Sequence, residues 1–582
     1  MMDYRTCQRG ETLFYAGFVG VFISFIFSYA IGPIADYDFW WHLKTGEVMV
    51  QGGGLLQSDP FNFTGDGLVS NIEAVILKGY WLWQITAYGL YTLFGFNGIF
   101  LFNLVIAFVM VGVVAQQMRR QRVGFALAVL LLTLGFSLMR NTYMLERPQI
   151  VSFLFTAILL VQFARVRDGG QFGWMLPLLM MVWANLHGGF AVGDILLLCF
   201  LAGAVIEYRQ DLPRLRHILL WVGIAIGASL LNPNGALVFG ELINFSNSPI
   251  GEFQSTWVKF QNGNWFVIIL WLLIVLYGVG IWCSRRLYWP ELIVVIFLAY
   301  SSVAYMRNVG FFSVAMLPVI GGHLQQGMTL RSRSIPPRWG YLIVLVAAAG
   351  LLWQTSAHWQ KVKNEGPVSS VFPEKTAQFI LDSGLQGQML NGYDFGGYLL
   401  WKLYPQHRVF IDGRGLEAEV FSDWRAMTVA SLSEKEGGRK EFEVLLDHYG
   451  IDYVVSDIYN NSGRLTPLLK FLMVKSEWIP IYVDHQSFIL ARNSQENATV
   501  IERYRMVKND FNNRIIGHLT ANCKSRPTEV IFHVPLAEML IFVGRYDEAE
   551  TRLAMIALLQ PDNPTLPSLR NQLDVLKNGE KR

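Results

Sequence analysis

The chain has 582 residues, of which 53% are hydrophobic and only 16% charged. A soluble protein of this size carries about 25% charged residues, so an ordinary soluble enzyme and a disordered chain are both excluded. The net charge of +3 is too small to point to nucleic acid. The shortage of charge is local. Residues 1–355 hold 37 charges (21 Lys+Arg and 16 Asp+Glu), whereas the remaining 227 residues hold 54 (26 and 28). The first part reads as a membrane domain, and the second has the charge density of a soluble one. Cys7, Cys199, Cys283 and Cys523 are scattered, which gives no disulfide framework and no Cys-based metal site.

Apolar runs near 20 residues read as membrane-spanning helices. Eleven are expected: 12–34, 97–116, 123–139, 149–164, 172–186, 189–206, 217–231, 265–283, 289–305, 309–324 and 339–355. The third, fifth and tenth are short. The first is too long for a cleaved signal peptide and lacks a small-residue cleavage site. Cations sort the connections: Arg5 and Arg9 precede the first span. Arg119, Arg120 and Arg122 follow the second, and Arg165 and Arg167 the fourth. Arg209, Arg214 and Arg216 follow the sixth, Arg285 and Arg286 the eighth, and Arg331, Arg333 and Arg338 the tenth. With eleven spans all of these fall on one side, which the positive-inside rule makes the cytoplasm. The amino terminus is then inside, and everything after residue 356 is outside.

The outer side receives Asp36–Tyr88, Arg140–Arg147, Asn185–Gly188, Asn232–Asn264, Arg307–Asn308 and the C-terminal domain. Arg140, Arg147 and Arg307 lie at or beside span ends. A lone cation at membrane depth is costly and marks a functional site by default. Snorkelling to the headgroups, or pairing with Glu146, is the alternative. Three arginines converging on one face with two acids and a histidine favour a site.

The first outer loop reads Asp36-Tyr-Asp38-Phe-Trp40-Trp41-His42-Leu43. Asp38 suits the positive end of a helix, with His42 one turn on along the same face. Trp40 and Trp41 suit the membrane–water interface. Gly52-Gly-Gly54 ends this helix, and Asp59-Pro60-Phe61 and Thr64-Gly65-Asp66-Gly67 are turns. A second amphipathic stretch, with Trp81, Leu82, Ile85, Tyr88, Leu90 and Tyr91, is expected to lie in the interface.

An acidic pair after the first span, followed by two interfacial helices, resembles the GT-C superfamily of polytopic glycosyltransferases. The Asp-x-Asp-x-Trp-Trp-His-Leu run is similar to a signature of one bacterial GT-C-like branch. The resemblance continues in order through Asp59-Pro-Phe-x-Phe-Thr64, Arg147-Pro-Gln149, Trp183-x-Asn-x-His-Gly-Gly189, Asn232-Pro-Asn-Gly235 and Arg307. It implies an enzyme that takes a sugar from a polyprenyl-phosphate carrier, with its catalytic Asp in the first outer loop. Where that pattern has an acid directly before the Trp-Leu of the second helix, this chain has Tyr80, with Glu73 the nearest substitute.

Such a transfer needs a base for the acceptor and positive charge for the departing phosphate. A carboxylate near the membrane supplies the base. Asp38 is the expected base, with Asp36 as orienting group, alternative base or metal ligand. Arg140, Arg147 and Arg307 are the phosphate candidates, because a guanidinium binds two oxygens and stays charged. His42 and His187 could donate to the phosphate or coordinate a divalent cation, magnesium or manganese. Asp36, Asp38 and His187 would be its ligands. Helix packing beside Gly188 and Gly189 is an equal alternative for His187. Asn185 and Asn232 could orient sugar hydroxyls, although Asn232-Pro-Asn-Gly235 is also a plain turn.

Residues 366–495 read as α/β, with short strands around 389–390, 408–411, 453–455, 479–483 and 488–491 and helices over 374–381 and 441–448. Tyr393-Asp394-Phe395-Gly396-Gly397 and Asp412-Gly413-Arg414 resemble an acceptor-binding segment of oligosaccharyltransferases, without its tryptophans. Asp394, Asp412 and Arg414 would then face the acceptor. The alternative is a strand–turn–helix joint with glycine for close packing. Thr528–Leu576 resembles one tetratricopeptide repeat, and one repeat forms no solenoid alone.

The expected molecule is a polytopic α-helical membrane protein of about eleven transmembrane helices, GT-C-like, over residues 1–356, with a first outer loop at 36–96. An extracytoplasmic α/β domain (357–500) and a short helical hairpin within a tail (501–582) follow. It would sit in a bacterial inner membrane and move sugar from a polyprenyl-phosphate-linked donor to a protein or glycan, with membrane lipids and no nucleic acid as partners. A lipid-linked glycan flippase would instead need charges along a path through the bilayer, for which only Asp194 and Glu207 offer themselves. A non-catalytic scaffold would account for the tail but not for the acidic loop.

Overall fold

The computed structural model describes residues 2–65, 71–140, 147–240, 255–261, 263–264, 266–331, 335–363, 365–415, 417–434, 438–460 and 462–579. Glu146, the Glu73 side chain, the Asp66-Gly67 turn, Arg333 and the last tail residues lie outside the described residues. The chain forms two compact units. One comprises Met1–Leu56 and Ala74–Ser369, and the other Gln57–Glu73 and Ser370–Arg582. The units divide the chain at 56/57, 73/74 and 369/370, whereas the sequence reading divides it at 356/357 and 500/501. The Asp59-Pro-Phe segment belongs to the second unit, because its backbone and Asp59 bond to residues 409–414, as described below. The tail does too, because its helices share the core of the α/β residues.

In the first unit the helices are α1 (Met2–Ala30), α2 (Asp38–Gly52), α3 (Asn71–Gly79), α4 (Trp81–Phe94), α5 (Phe96–Arg120), α6 (Phe125–Arg140), α7 (Gln149–Arg167) and α8 (Met175–Leu186). They continue as α9 (Phe190–Glu207), α10 (Leu212–Ser229), α11 (Thr256–Gln261), α12 (Val267–Ser284), α13 (Trp289–Ala304), α14 (Val309–Leu330) and α15 (Pro337–Val362). Each of the eleven expected spans is helical. Among the described residues five helices, α5, α7, α9, α12 and α15, are long and apolar enough by themselves to cross a membrane. The third and fifth spans are short, at 16 and 12 residues, whereas the tenth runs to 22. Outward faces are apolar: Trp271, Val275 and Trp282 on α12 and Leu345, Val346 and Trp353 on α15 are exposed. Water does not tolerate such continuous apolar surface, and lipid does.

Two helix ends shape the site. Tyr305 is extended and breaks the chain between α13 and α14, leaving Arg307 on a 3-10 turn, Met306–Asn308. Before α2, Ile34 pairs with Val368: the Ile34 amide donates to Pro367 and the Ser369 amide to Ile34. That bridge pins the backbone two residues ahead of Asp36. In α2 the residues Phe39, Trp40, Trp41 and Leu43 are buried. Full burial of a side chain such as Phe39 contributes about 1.5–3 kcal/mol.

The second unit holds α16 (Glu374–Ser383), β1 (Gln388–Asn391), α17 (Tyr393–Leu403), α18 (Ala418–Thr428), α19 (Glu441–His448) and β2 (Ile451–Asp457). After them come α20 (Pro467–Val474), β3 (Trp478–Val483), β4 (Ser487–Arg492), α21 (Ala498–Tyr504), α22 (Lys508–Ser525), α23 (Val530–Phe542), α24 (Tyr546–Leu559) and α25 (Leu566–Gly579). The sheet order is β1-β2-β4-β3, with β1 and β2 parallel and the other pairs antiparallel. Residues 408–411, expected as a strand, make only an isolated bridge, Asn62 to Val409. The Asn391 side chain takes their backbone instead: Oδ1 accepts from the Phe410 amide at 2.8 Å and Nδ2 donates to the Ile411 carbonyl at 2.7 Å. One core joins sheet and tail, including Leu490, Phe511, Ala537, Leu553 and Leu573.

Candidate functional site

The acid pair is held by one arginine. Asp36 is buried, and its Oδ1 accepts the Asp38 amide at 2.7 Å, satisfying an open N–H at the start of α2. Asp38 lies in the first turn of α2, at the positive end of the helix. Arg147, just before α7, donates from Nε to Asp36 and forms an ion pair through Nη2 with Asp38 at 3.2 Å. The Asp36 side chain is 0% exposed and that of Asp38 22%. Asp38 is therefore the more exposed acid of the pair. Trp41 Nε1 donates to Asp38 Oδ1 at 3.2 Å. Trp41 stands three residues on from Asp38, one turn along α2.

An aromatic wall adjoins the pair. Tyr80, standing where the resembling pattern has an acid, lies 5.1 Å from the His42 ring, 5.6 Å from His187 and 6.0 Å from Trp41 between centroids. His42 is buried, with Nδ1 3.4 Å from Gln84 Nε2. It builds the wall.

His187 lies in the hairpin between α8 and α9. Its Nδ1 receives the Ser152 hydroxyl at 2.7 Å and the Gly189 amide at 3.0 Å. A Cβ on Gly189 would come within 2.6 Å of Ser152 Oγ and 2.7 Å of His187 Nδ1, so only glycine brings its amide there. Burial first, then the charges of Arg307 and Arg147, push the imidazole down to about 3, so it is neutral. Arg307 enters the cluster beside Gln149, whose Nε2 donates to the Arg307 carbonyl at 2.8 Å. Asp36, Asp38, Arg147, Arg307, His187 and His42 thus come together, with Tyr80 and Trp41 as the wall.

Other expected residues are engaged elsewhere. Arg140 donates to Ser28 at 3.2 Å and lies 5.2 Å over the Phe25 ring, both on α1. Asn185 accepts from Trp81 Nε1 at 2.8 Å and donates to the Met181 and Leu231 carbonyls, which ties α4 and α8 to the turn after α10. Asn232 caps its own turn, accepting from the Asn234 amide at 2.9 Å and donating to Ser229 and Gly235. That is an Asx turn.

In the second unit, Arg414 has no exposed side chain and donates to Asp59, Asp412 and Asn62. Asp412 is buried too. These two residues form a buried cluster with Asp59 and Asn62. Asp394 opens α17, where a Cβ on Gly396 would approach the Ile411 carbonyl to 2.1 Å; this is the expected close-packed joint.

Among the described residues no group of three or more His, Cys, Asp or Glu is placed to hold a metal ion. Asp36 and Asp38 face a guanidinium, and His187 offers no bare nitrogen beyond the engaged Nδ1. This donor set fits a divalent cation poorly. Sequence reasoning missed Ser152. Its only signal is a hydroxyl inside an apolar run, three residues after Arg147-Pro-Gln149.

No family model matches the chain, and no curated protein does. Among solved structures the chain is similar to the crystal structure of ArnT from Cupriavidus metallidurans bound to undecaprenyl phosphate. The identity is 13%, over 84% of this chain and 99% of that one, with a TM-score of 0.47.

Proposed function

We propose that this chain is a multi-pass membrane glycosyltransferase. It moves a sugar from a polyprenyl-phosphate-linked donor to a protein or glycan acceptor at the outer face, with the amino terminus in the cytoplasm. The observation that carries this reading is Arg147 bridging Asp36 and Asp38 beside a second arginine, a neutral histidine and an aromatic wall. Asp38, the more exposed acid, is the base that takes the acceptor hydroxyl proton. Asp36 orients Arg147 and the Asp38 backbone. The acceptor oxygen bonds to the sugar as the carbon–oxygen bond to phosphate breaks, and polyprenyl phosphate leaves with the negative charge. Arg147 and Arg307 meet that charge, because a planar guanidinium takes two phosphate oxygens and stays ionised. A phosphate oxygen that engages Nη2 of Arg147 also competes with Asp38 for it, freeing the base when the donor is seated.

The flippase reading is weaker. Asp194 is bonded to Ser229 at 2.9 Å, and Glu207 accepts the Trp289 amide at 3.3 Å, so the two acids serve separate helix contacts. The test uses purified chain in lipid vesicles with a panel of radiolabelled polyprenyl-phosphate sugars and outer-face glycans. Wild type releases polyprenyl phosphate and labels an acceptor, and Arg147→Met does not. Donors that stay intact while crossing the bilayer would establish the flippase reading instead.

A further inference from the structure

Ser152 lies on α7 and is buried. Three hydrogen bonds converge on it and on His187, and their directions are fixed by chemistry. The Trp183 indole is only a donor, and it donates to Ser152 Oγ at 2.6 Å. The Gly189 amide is only a donor, and it points at His187 Nδ1. Nδ1 must therefore be bare, so the Ser152 hydroxyl donates to it. A neutral imidazole carries one proton, and with Nδ1 bare that proton is on Nε2. No described residue accepts a hydrogen bond from Nε2.

We infer that Ser152 is a positioning residue: with the Gly189 amide it fixes His187 as the Nε2–H tautomer, which presents a neutral donor to a phosphate oxygen of the lipid-linked sugar. The inference rests on the glycosyltransferase reading for its ligand but not for its tautomer. The Nε2–H bond to the phosphate oxygen strengthens as that oxygen gains charge, and no proton is transferred. A wrong tautomer would aim a lone pair at the phosphate. The relay Trp183–Ser152–His187 spans α8, α7 and the hairpin, so the imidazole cannot turn without breaking its two bonds at Nδ1, to Ser152 and to the Gly189 amide.

The first test reads the tautomer directly. The protein is labelled with nitrogen-15 histidine, and the His187 signals are assigned by their loss in His187→Gln. Wild type shows a bare Nδ1 and a protonated Nε2, and farnesyl phosphate shifts the Nε2 signal. A protonated Nδ1, an imidazolium, or an Nε2 signal indifferent to farnesyl phosphate overturns the proposal.

The second test is a rate cycle. The amide of Gln reaches the Nε2 position and that of Asn the Nδ1 position, so His187→Gln lowers kcat less than His187→Asn does. Ser152→Ala lowers kcat about 10-fold, the worth of one hydrogen bond, and Ser152→Thr restores it. In the His187→Gln background Ser152→Ala changes little, because an amide needs no tautomer lock. An equal loss in both backgrounds would make Ser152 mere packing and overturn the inference. A wild type with the expected tautomer and farnesyl phosphate response but no sugar transfer would sink the glycosyltransferase reading and leave the inference standing.

Discussion

Arg414 and Asp59 are joined across 355 residues of chain: Nη1 donates to Oδ1 at 2.9 Å and Nη2 to Oδ2 at 3.0 Å. The same guanidinium binds Asp412 from Nε at 2.8 Å, and its side chain is fully buried. Two acids and one arginine share a site that excludes water, and the two carboxylates hold the guanidinium ionised. Removing the arginine leaves uncompensated buried charge, which costs about 3–5 kcal/mol. Arg414→Met should therefore lower the melting temperature of the purified protein sharply, with Asp59→Ala close behind. A melting temperature unchanged in Arg414→Met would remove the structural account of this cluster.

Arg147→Lys tests the bridge. An ammonium is a point charge and cannot span Asp36, Asp38 and a phosphate with a planar fork. Losing one charged hydrogen bond is worth about 1.5–3 kcal/mol, so transfer should fall about 10- to 100-fold while the protein still inserts. Full activity in Arg147→Lys would mean that only charge matters there.

Much of this was legible in one sequence, and the exceptions share a cause. All eleven apolar runs became helices, because lipid leaves the backbone no other way to satisfy its polar groups. The acid pair and Arg147 were legible as costly charges at span ends. The partnership of Arg414 with Asp59 was not, since nothing in the spacing reveals a contact 355 residues long. Val409 failed as a strand because the Asn391 amide satisfies the backbone of its neighbours Phe410 and Ile411, and propensity does not foresee a side chain replacing a ladder. The hydrogen bonds of Asn185 to Trp81, Met181 and Leu231, and of Asn232 within its own turn, were equally hidden from residue type alone.

Asp457 gives a pH dependence. It ends β2, and burial first, then the charge of Asp394, raise its carboxyl to about 8 from 3.8. The folded state therefore holds a proton that the unfolded chain gives up above about 4. Stability from this group is lost as pH rises from about 4 to about 8 and is level beyond. The melting temperature of Asp457→Asn relative to wild type should climb across that window. A difference constant from pH 4 to pH 8 would contradict the raised carboxyl.

Topology is also testable. Fusing a periplasm-dependent phosphatase after Arg582 should give an active enzyme, and a fluorescent protein at the same place should stay dark. The reverse pattern would place the acid pair on the cytoplasmic face and remove lipid-linked donors of the outer leaflet from the account.

The central claim, that Asp38 is the base of a sugar transfer, is met most directly by Asp38→Asn with Asp36→Asn beside it. Transfer from lipid-linked donors is measured in membranes where both variants insert at wild-type levels. The account predicts that Asp38→Asn abolishes transfer, with a loss of about 10²–10⁴-fold, while still binding farnesyl phosphate. Undiminished transfer in Asp38→Asn would contradict it and move the catalytic base away from Asp38.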